Sequence, residues 1–309
     1  MQIGWRDYIK RRFRQASKYY CVGIEYGIDE LKVATLQILD GQLTWVKQQK
    51  FDWGVWQQGL KDYVAEQGLN NTKCRVTLGI SKYQLLQLDR PAVPESEINQ
   101  ALQWTVKEQL SSDAELTVDY FDLPAAPANA KKLNVVSLGK NEIETIRDGV
   151  IAAGLNLVNI SVEELTTCNL LPPNEDAAII LYQNAGEQIC LSIVKKGLLY
   201  FSRRLRAYEN LASFSEQELQ MGVADNLALE IQRSMDYFES QLRQAPVKQV
   251  YIALDTAHQA FLADLIKDVI FVKIVKLQPT IACLAGVGQD ARYYACLGAA
   301  LDDLAERQP

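Results

Sequence analysis

The sequence predicts an α/β fold of two lobes, because one order of elements occurs twice along the 309 residues. Each half reads as three strands, a helix, a strand and a helix. In the first half the strands begin near Tyr20, and the hairpin signal Asp40-Gly41 separates the second strand from the third. In the second half, three strands between residues 177 and 205 precede a long amphipathic helix over 215–242.

This order is that of a ribonuclease-H-like lobe. Two such lobes around a cleft, with a subdomain inserted in the first, give an actin/hexokinase-type α/β architecture. The pair Pro172-Pro173 marks the lobe boundary, and residues 81–132 interrupt the first repeat. The predicted organisation is a basic amphipathic segment at 1–18, a first lobe at 19–80 and 133–172, an inserted subdomain at 81–132, and a second lobe at 173–309.

The amino-acid composition and net charge argue against several classes of function. The chain is 48% hydrophobic and 23% charged, as globular proteins are, and its net charge of -6 argues against a dominant role in nucleic-acid binding. Six cysteines without CxxC spacing predict reduced, buried thiols and a cytoplasmic location, and no apolar run approaches a membrane span. The single histidine, His258, leaves zinc sites and histidine-based triads without their usual residues, so we expect neither a metal site nor catalytic residues.

The first 18 residues contain six basic side chains and one acid. Three large apolar side chains recur there at helical spacing, which is typical of a segment that lies on anionic lipid at the inner membrane. A solvated chain terminus is the alternative. The residues assigned to the membrane surface are Trp5, Arg6, Ile9, Lys10, Arg11, Arg12 and Phe13.

A cleft between two such lobes holds nucleotide phosphates on two tight hairpins, whose backbone N–H groups need small side chains around them. The first hairpin keeps Gly23 and Gly27, but its tip carries the bulky Ile28 and two acids that oppose a polyphosphate. We therefore predict a degenerate nucleotide-binding site, with no bound ATP or Mg²⁺. Its members are Gly23, Glu25, Gly27 and Lys32.

The other two nucleotide contacts are also incomplete. The second hairpin, 181–188, follows a strand that no aspartate ends, and Glu187 occupies its turn. The adenosine pocket needs glycines after a late strand, and residues 253–256 contain none. The pattern favours a pseudo-ATPase. The alternative is an ATP-binding or ATP-hydrolysing protein, with Glu25 as the metal-linked acid and Lys32 near the phosphate. A nuclease would need several convergent acids, whereas Glu25 stands alone at its strand.

Several stretches of the chain match a known family. They are Val22–Gly27 with Leu31–Val33, Ile98–Leu102, Val118–Tyr120, Ala153–Leu155, Val162–Glu163, Leu229–Phe238 and Ala295–Leu301. Together they resemble the actin-like PilM family of type IV pilus assembly proteins, nearest to its branch of MSHA pilus biogenesis proteins. The resemblance implies a cytoplasmic, ATP-binding protein that docks to the N-terminal cytoplasmic tail of a PilN-like inner-membrane partner.

In that family the partner's tail lies in a groove between the first lobe and the inserted subdomain. We assign the groove wall to apolar residues of the inserted stretch, although helical patterning also fits an ordinary core. The pilus motor ATPase or the platform protein are further expected partners. The residues assigned to the groove wall are Leu86, Leu88, Ile98, Leu102 and Val106.

Overall fold

The computed structural model describes residues 17–111, 114–127, 132–288 and 290–305. The residues assigned to the membrane surface, at positions 5–13, lie outside the described residues. Within the described ranges, no helix is both long enough and apolar enough to span a bilayer.

The strands, in chain order, are β1 (Tyr19–Tyr26), β2 (Glu30–Leu39), β3 (Gln42–Asp52), β4 (Lys73–Leu78), β5 (Gln84–Asp89), β6 (Leu116–Phe121), β7 (Lys132–Gly139), β8 (Asn156–Val162), β9 (Ala178–Tyr182), β10 (Ile189–Lys195), β11 (Leu198–Leu205), β12 (Gln249–Ala253), β13 (Lys273–Lys276) and β14 (Ala282–Cys283). The α-helices are α1 (Trp56–Glu66), α2 (Ile98–Leu110), α3 (Lys140–Ala152), α4 (Glu163–Thr166), α5 (Glu216–Glu218), α6 (Ala224–Ser240), α7 (Gln259–Val269) and α8 (Tyr294–Ala305).

Two sheets repeat one topology. The first has the order β14-β3-β2-β1-β4-β8, and the second has the order β11-β10-β9-β12-β13. In each, an antiparallel meander of three strands is extended by two parallel strands. Asp40 and Gly41 both have positive φ, as the predicted tight turn requires. The duplicated two-lobed α/β fold is therefore confirmed.

A third sheet, β5-β7-β6, is covered on one face by α2, and we refer to this unit as the inserted subdomain. Its middle strand, β7, was predicted to return the chain to the first lobe at residue 133, and that prediction is wrong. The apolar run of β7 pairs with β5 and β6 because one of its faces is needed in the subdomain's own core, through Leu133 and Val135.

The end of the chain returns to the first lobe. β14 pairs in parallel with β3, and α8 packs against β1. This contact depends on Gly23, since a Cβ there would lie 1.9 Å from the carbonyl oxygen of Cys296. The assignment of the last helix to the second lobe is therefore wrong, because the glycine that permits this contact lies far away in sequence. The remaining domain boundaries stay predictions.

The helix predicted over 215–242 is interrupted. After α5, a π-helical stretch at Leu219–Val223 contains Gly222 with φ of 107°, and the regular helix α6 begins at Ala224. A positive φ suits glycine and breaks the regular hydrogen-bond ladder. The apolar stripe of α6 covers the second sheet through side chains such as Leu227 and Ile231.

Candidate functional site at the cleft

Glu25 and Lys32 meet at the centre of the cleft. They are direct cross-strand partners in the antiparallel pair β1–β2, so their side chains leave the same face of the sheet. Lys32 Nζ donates to Glu25 Oε1 over 3.1 Å, and the two residues are 4% and 0% exposed. The structure therefore joins two of the predicted site residues in a buried ion pair.

The ion pair extends to the second lobe through Asn184, which follows β9. Lys32 Nζ donates to Asn184 Oδ1 over 3.0 Å, and Asn184 Nδ2 donates to Glu163 Oε2 over 3.0 Å. The Tyr182 hydroxyl donates to Asn184 Oδ1 at the same distance. Side chains of the chain itself therefore span the space between the two hairpins.

Burial sets the charge state of this cluster. Burial alone would lower the pKa of Lys32, but the adjacent Glu25 carboxylate outweighs it and raises that pKa, so the ammonium stays charged. The pKa of Glu163 lies well above its ordinary value because the group is buried and faces other carboxylates, Glu187 first among them. Burial also raises the pKa of Glu25, against the attraction of the Lys32 ammonium, and Glu163 favours its protonated form.

The tip of the first hairpin points outward. Gly27 N–H donates to Glu30 O over 3.2 Å, which closes the turn, and Ile28 and Asp29 are exposed. Glu30 pairs with Lys50 at 2.9 Å. Gly27 also lies against the backbone at Gly79, whereas Gly23 serves to admit α8 and does not line the turn. Of the four predicted site residues, Gly23 and Gly27 therefore permit close backbone packing, and Glu25 and Lys32 form an ion pair.

The second hairpin is closed onto the first lobe. Glu187 is 4% exposed, and its Oε1 accepts a hydrogen bond of 2.6 Å from the Ser81 hydroxyl. Beside it, Gln183 Nε2 donates to the carbonyl oxygens of Glu187 and Tyr208, over 2.9 and 2.7 Å. The acid that the sequence places in this turn is a contact between the lobes.

In the loop after β12, the expected place of an adenosine pocket, backbone N–H groups donate to side chains of the chain itself. Asp255 N–H donates to Gln183 Oε1 over 3.2 Å, and Leu254 N–H donates to Gln259 Oε1 over 2.8 Å. The His258 N–H donates to Thr256 Oγ1. Side chains of the chain therefore satisfy three of the N–H groups in this loop.

A second contact between the lobes was not predicted from the sequence. Arg204 of β11 binds Glu164 Oε1 through Nε and Nη2, over 3.0 and 2.9 Å, and its Nη1 donates to Ile80 O over 2.7 Å. The Tyr83 hydroxyl donates to the other oxygen of Glu164. The sequence feature that could have indicated this contact is the acidic pair Glu163-Glu164 directly after an apolar strand. Carboxylates in a buried position need a cation or hydrogen-bond donors as partners.

Most of the residues assigned to the groove wall lie in a hydrophobic core. Leu88, Ile98, Leu102 and Val106 are buried in the cluster between the third sheet and α2, so the apolar face of that helix offers no surface to a partner. Leu86 alone of the five borders an open groove, the one between β5 and β11. Within the described ranges, no group of three or more His, Cys, Asp or Glu side chains is arranged to hold a metal ion.

No protein-family model and no curated protein matches the sequence. Solved structures do match its fold. A PilM–PilN type IV pilus biogenesis complex aligns with a TM-score of 0.64 and 16% identity, over 94% of this chain and 100% of that chain.

Two further structures align over most of their length. The cytoplasmic domain of EpsL, an inner-membrane component of the type II secretion system of Vibrio cholerae, gives a TM-score of 0.51 with 8% identity, over 94% of this chain and 96% of that chain. A protein of unknown function from Bacteroides thetaiotaomicron with an actin-like ATPase fold gives 0.52 with 8% identity, over 91% and 96%. The chain has the two-lobed fold of the actin-like ATPases.

Proposed function

We propose that this protein is an actin-like scaffold of a type IV pilus assembly machine that works without nucleotide. In this role it lies on the cytoplasmic face of the inner membrane and binds the N-terminal tail of a PilN-like partner. The fold shared with PilM and with the cytoplasmic domain of EpsL supports the proposal. The finer assignment, to an MSHA-type pilus, rests on the sequence resemblance, above all over residues 229–238.

One observation supports a role without nucleotide: the ammonium of Lys32 lies where the two hairpins meet. It bonds to Glu25 of the first lobe and to Asn184 of the second, in a cluster that is at most 4% exposed. A triphosphate with Mg²⁺ would have to displace this cation and separate Ser81 from Glu187. The residues present do not fit Mg-ATP, and we assign them no hydrolytic step.

The proposed binding of the partner's tail is supported by a groove between the first lobe and the inserted subdomain, the position that the resemblance implies. It has a volume of about 530 Å³ and lies between α2 and β6 of the inserted subdomain and α3 of the first lobe. β6 is an edge strand of the third sheet, and an extended peptide can add to such an edge. The lining residues include Lys107, Leu116, Thr117, Lys140, Ile143 and Arg147.

The proposal is tested with a fluorescent peptide of the partner's N-terminal tail, followed by anisotropy. We expect saturable binding that Mg-ATP does not change. Lys107→Glu should weaken it, because Lys107 is exposed and lines the groove. Lys267→Glu, an exposed site on α7 of the second lobe, is the matched control. Absence of binding, or equal loss in both variants, would refute this assignment.

A further inference from the structure

A second, larger groove lies on the other side of the inserted subdomain. Its volume is about 970 Å³, and it separates β5 from β11 and α6 of the second lobe. We propose that this groove binds an acidic, extended peptide segment of a partner protein, which adds as a strand to the outer edge of β11. The inference does not depend on the pilus assignment, because it rests on this groove alone.

The first observation is an open strand edge. β11 is the terminal strand of the second sheet and pairs with β10 on one side only. In the described part of the chain, no backbone group of another element bonds to its outer side. β5, across the groove, is likewise the terminal strand of the third sheet. A row of unpaired N–H and C=O groups along a groove is a template for an added strand.

The second observation is the charge along this edge. Arg203 and Arg233 share one carboxylate, that of Glu230. Arg206 is exposed and has no ion pair among the described residues. The lining contains two acids, Glu209 and Glu187, and Glu187 is only 4% exposed and lies against Ser81. Apart from the buried Glu187 and the Arg204–Glu164 pair, three guanidinium groups face the two carboxylates of Glu209 and Glu230. The solvent-accessible part of the groove therefore has a local excess of positive charge on a chain whose net charge is -6.

The third observation is that the two faces of β11 meet different side chains. This difference determines which residue types of a bound peptide would fit on each face. Toward α6, the ring of Phe201 lies 4.9 Å from that of Tyr237, and Arg203 binds Glu230. The opposite face turns to the first lobe, where apolar side chains such as Leu85 and Leu123 line the groove. Because side chains alternate along a strand, the fitting segment alternates acidic and apolar residues.

The probe for this site is a fluorescein-labelled peptide of alternating glutamate and valine, eight residues long by design. Its control is the same peptide with lysine for glutamate. Anisotropy should report binding of the acidic peptide only, weakened by salt. Arg206→Gln and Arg233→Gln should each reduce affinity about two- to fivefold, the range of single exposed ion pairs. Arg147→Gln, in the groove between α2 and α3, should leave it unchanged.

Hydrogen exchange separates strand addition from simple charge attraction. The acidic peptide should slow exchange of amides on β11 and leave those of β6 unchanged. Equal binding of both peptides, or binding without protection of β11, would overturn the proposal. Arg206 is exposed and makes no hydrogen bond or ion pair with the described residues, so we expect Arg206→Gln to leave folding unchanged. Binding of the PilN-like tail should be the same in this variant, which keeps the two sites distinguishable.

Discussion

Basic side chains lie in two regions between the lobes, and the two regions differ in which groups neutralise the positive charge. At the centre of the cleft, Lys32 is buried and bonds to Glu25 and Asn184 of its own chain. Along β11, Arg206 is exposed and has no ion pair within the described residues. A cation that its own chain neutralises stabilises the fold, whereas one left open to solvent is available to a ligand.

Lys32→Ala should have the largest effect on stability. The carboxylate of Glu25 would stay buried without its cation, and losing one partner of a buried pair costs about 3–5 kcal/mol. Urea unfolding followed by circular dichroism measures the loss. Lys50→Ala, which removes a half-exposed partner of Glu30, should change the free energy of unfolding little. Similar losses in the two variants would contradict a structural role for Lys32.

The second change tests the packing beneath the cluster. In Gly23→Ala, the new Cβ would lie 1.9 Å from Cys296 O and 2.7 Å from Ala300 N, both of them backbone atoms of α8. Overpacking of this kind costs about 1–3 kcal/mol and sometimes more. Gly54→Ala is the control, because its Cβ would meet nothing within 4 Å. If the two alanines had the same urea midpoint, the close contact between α8 and β1 would be refuted.

A smaller effect is expected from Ser81→Ala, which removes the hydrogen bond to Glu187 across the cleft. A hydrogen bond to a charged group contributes about 1.5–3 kcal/mol, and we expect the lower end. Ser213→Ala, at an exposed turn, should change stability less. Thermal unfolding of both variants checks this, and a greater loss at Ser213 would contradict the closed cleft.

Stability should also depend on pH through Glu163. The pKa of Glu163 is raised by burial, so the folded protein binds this proton more tightly than the unfolded chain does. Its contribution to stability is complete below the ordinary glutamate value of about 4.3 and is lost as pH rises through the folded pKa. Glu163→Gln should therefore increase the free energy of unfolding at neutral pH and not in acid, as urea titrations at several pH values will test. A difference independent of pH would contradict this.

The repeat of element order could be predicted because strands and helices have local signals, such as Asp40-Gly41 and the stripe of α6. The cluster could not be predicted, since Asn184 reaches Lys32 from 152 positions away along the chain. Helical spacing places Leu102 and Val106 on one apolar face but does not show what covers that face. The sequence pattern is the same whether the face packs against a partner or, as here, against the chain's own sheet. Arg204 carries no local signal, since an arginine in an edge strand is ordinary at a surface.

A calorimetric titration of Mg-ATP into the 309-residue protein tests most directly whether the closed cleft admits a nucleotide. Because Lys32, Glu25 and Asn184 already satisfy one another between the hairpins, we predict no saturable heat at any nucleotide concentration up to the millimolar range. A single-site isotherm with micromolar affinity would show that the cleft is not closed to nucleotide, since the lobes would have to open and the phosphates would have to displace this cluster.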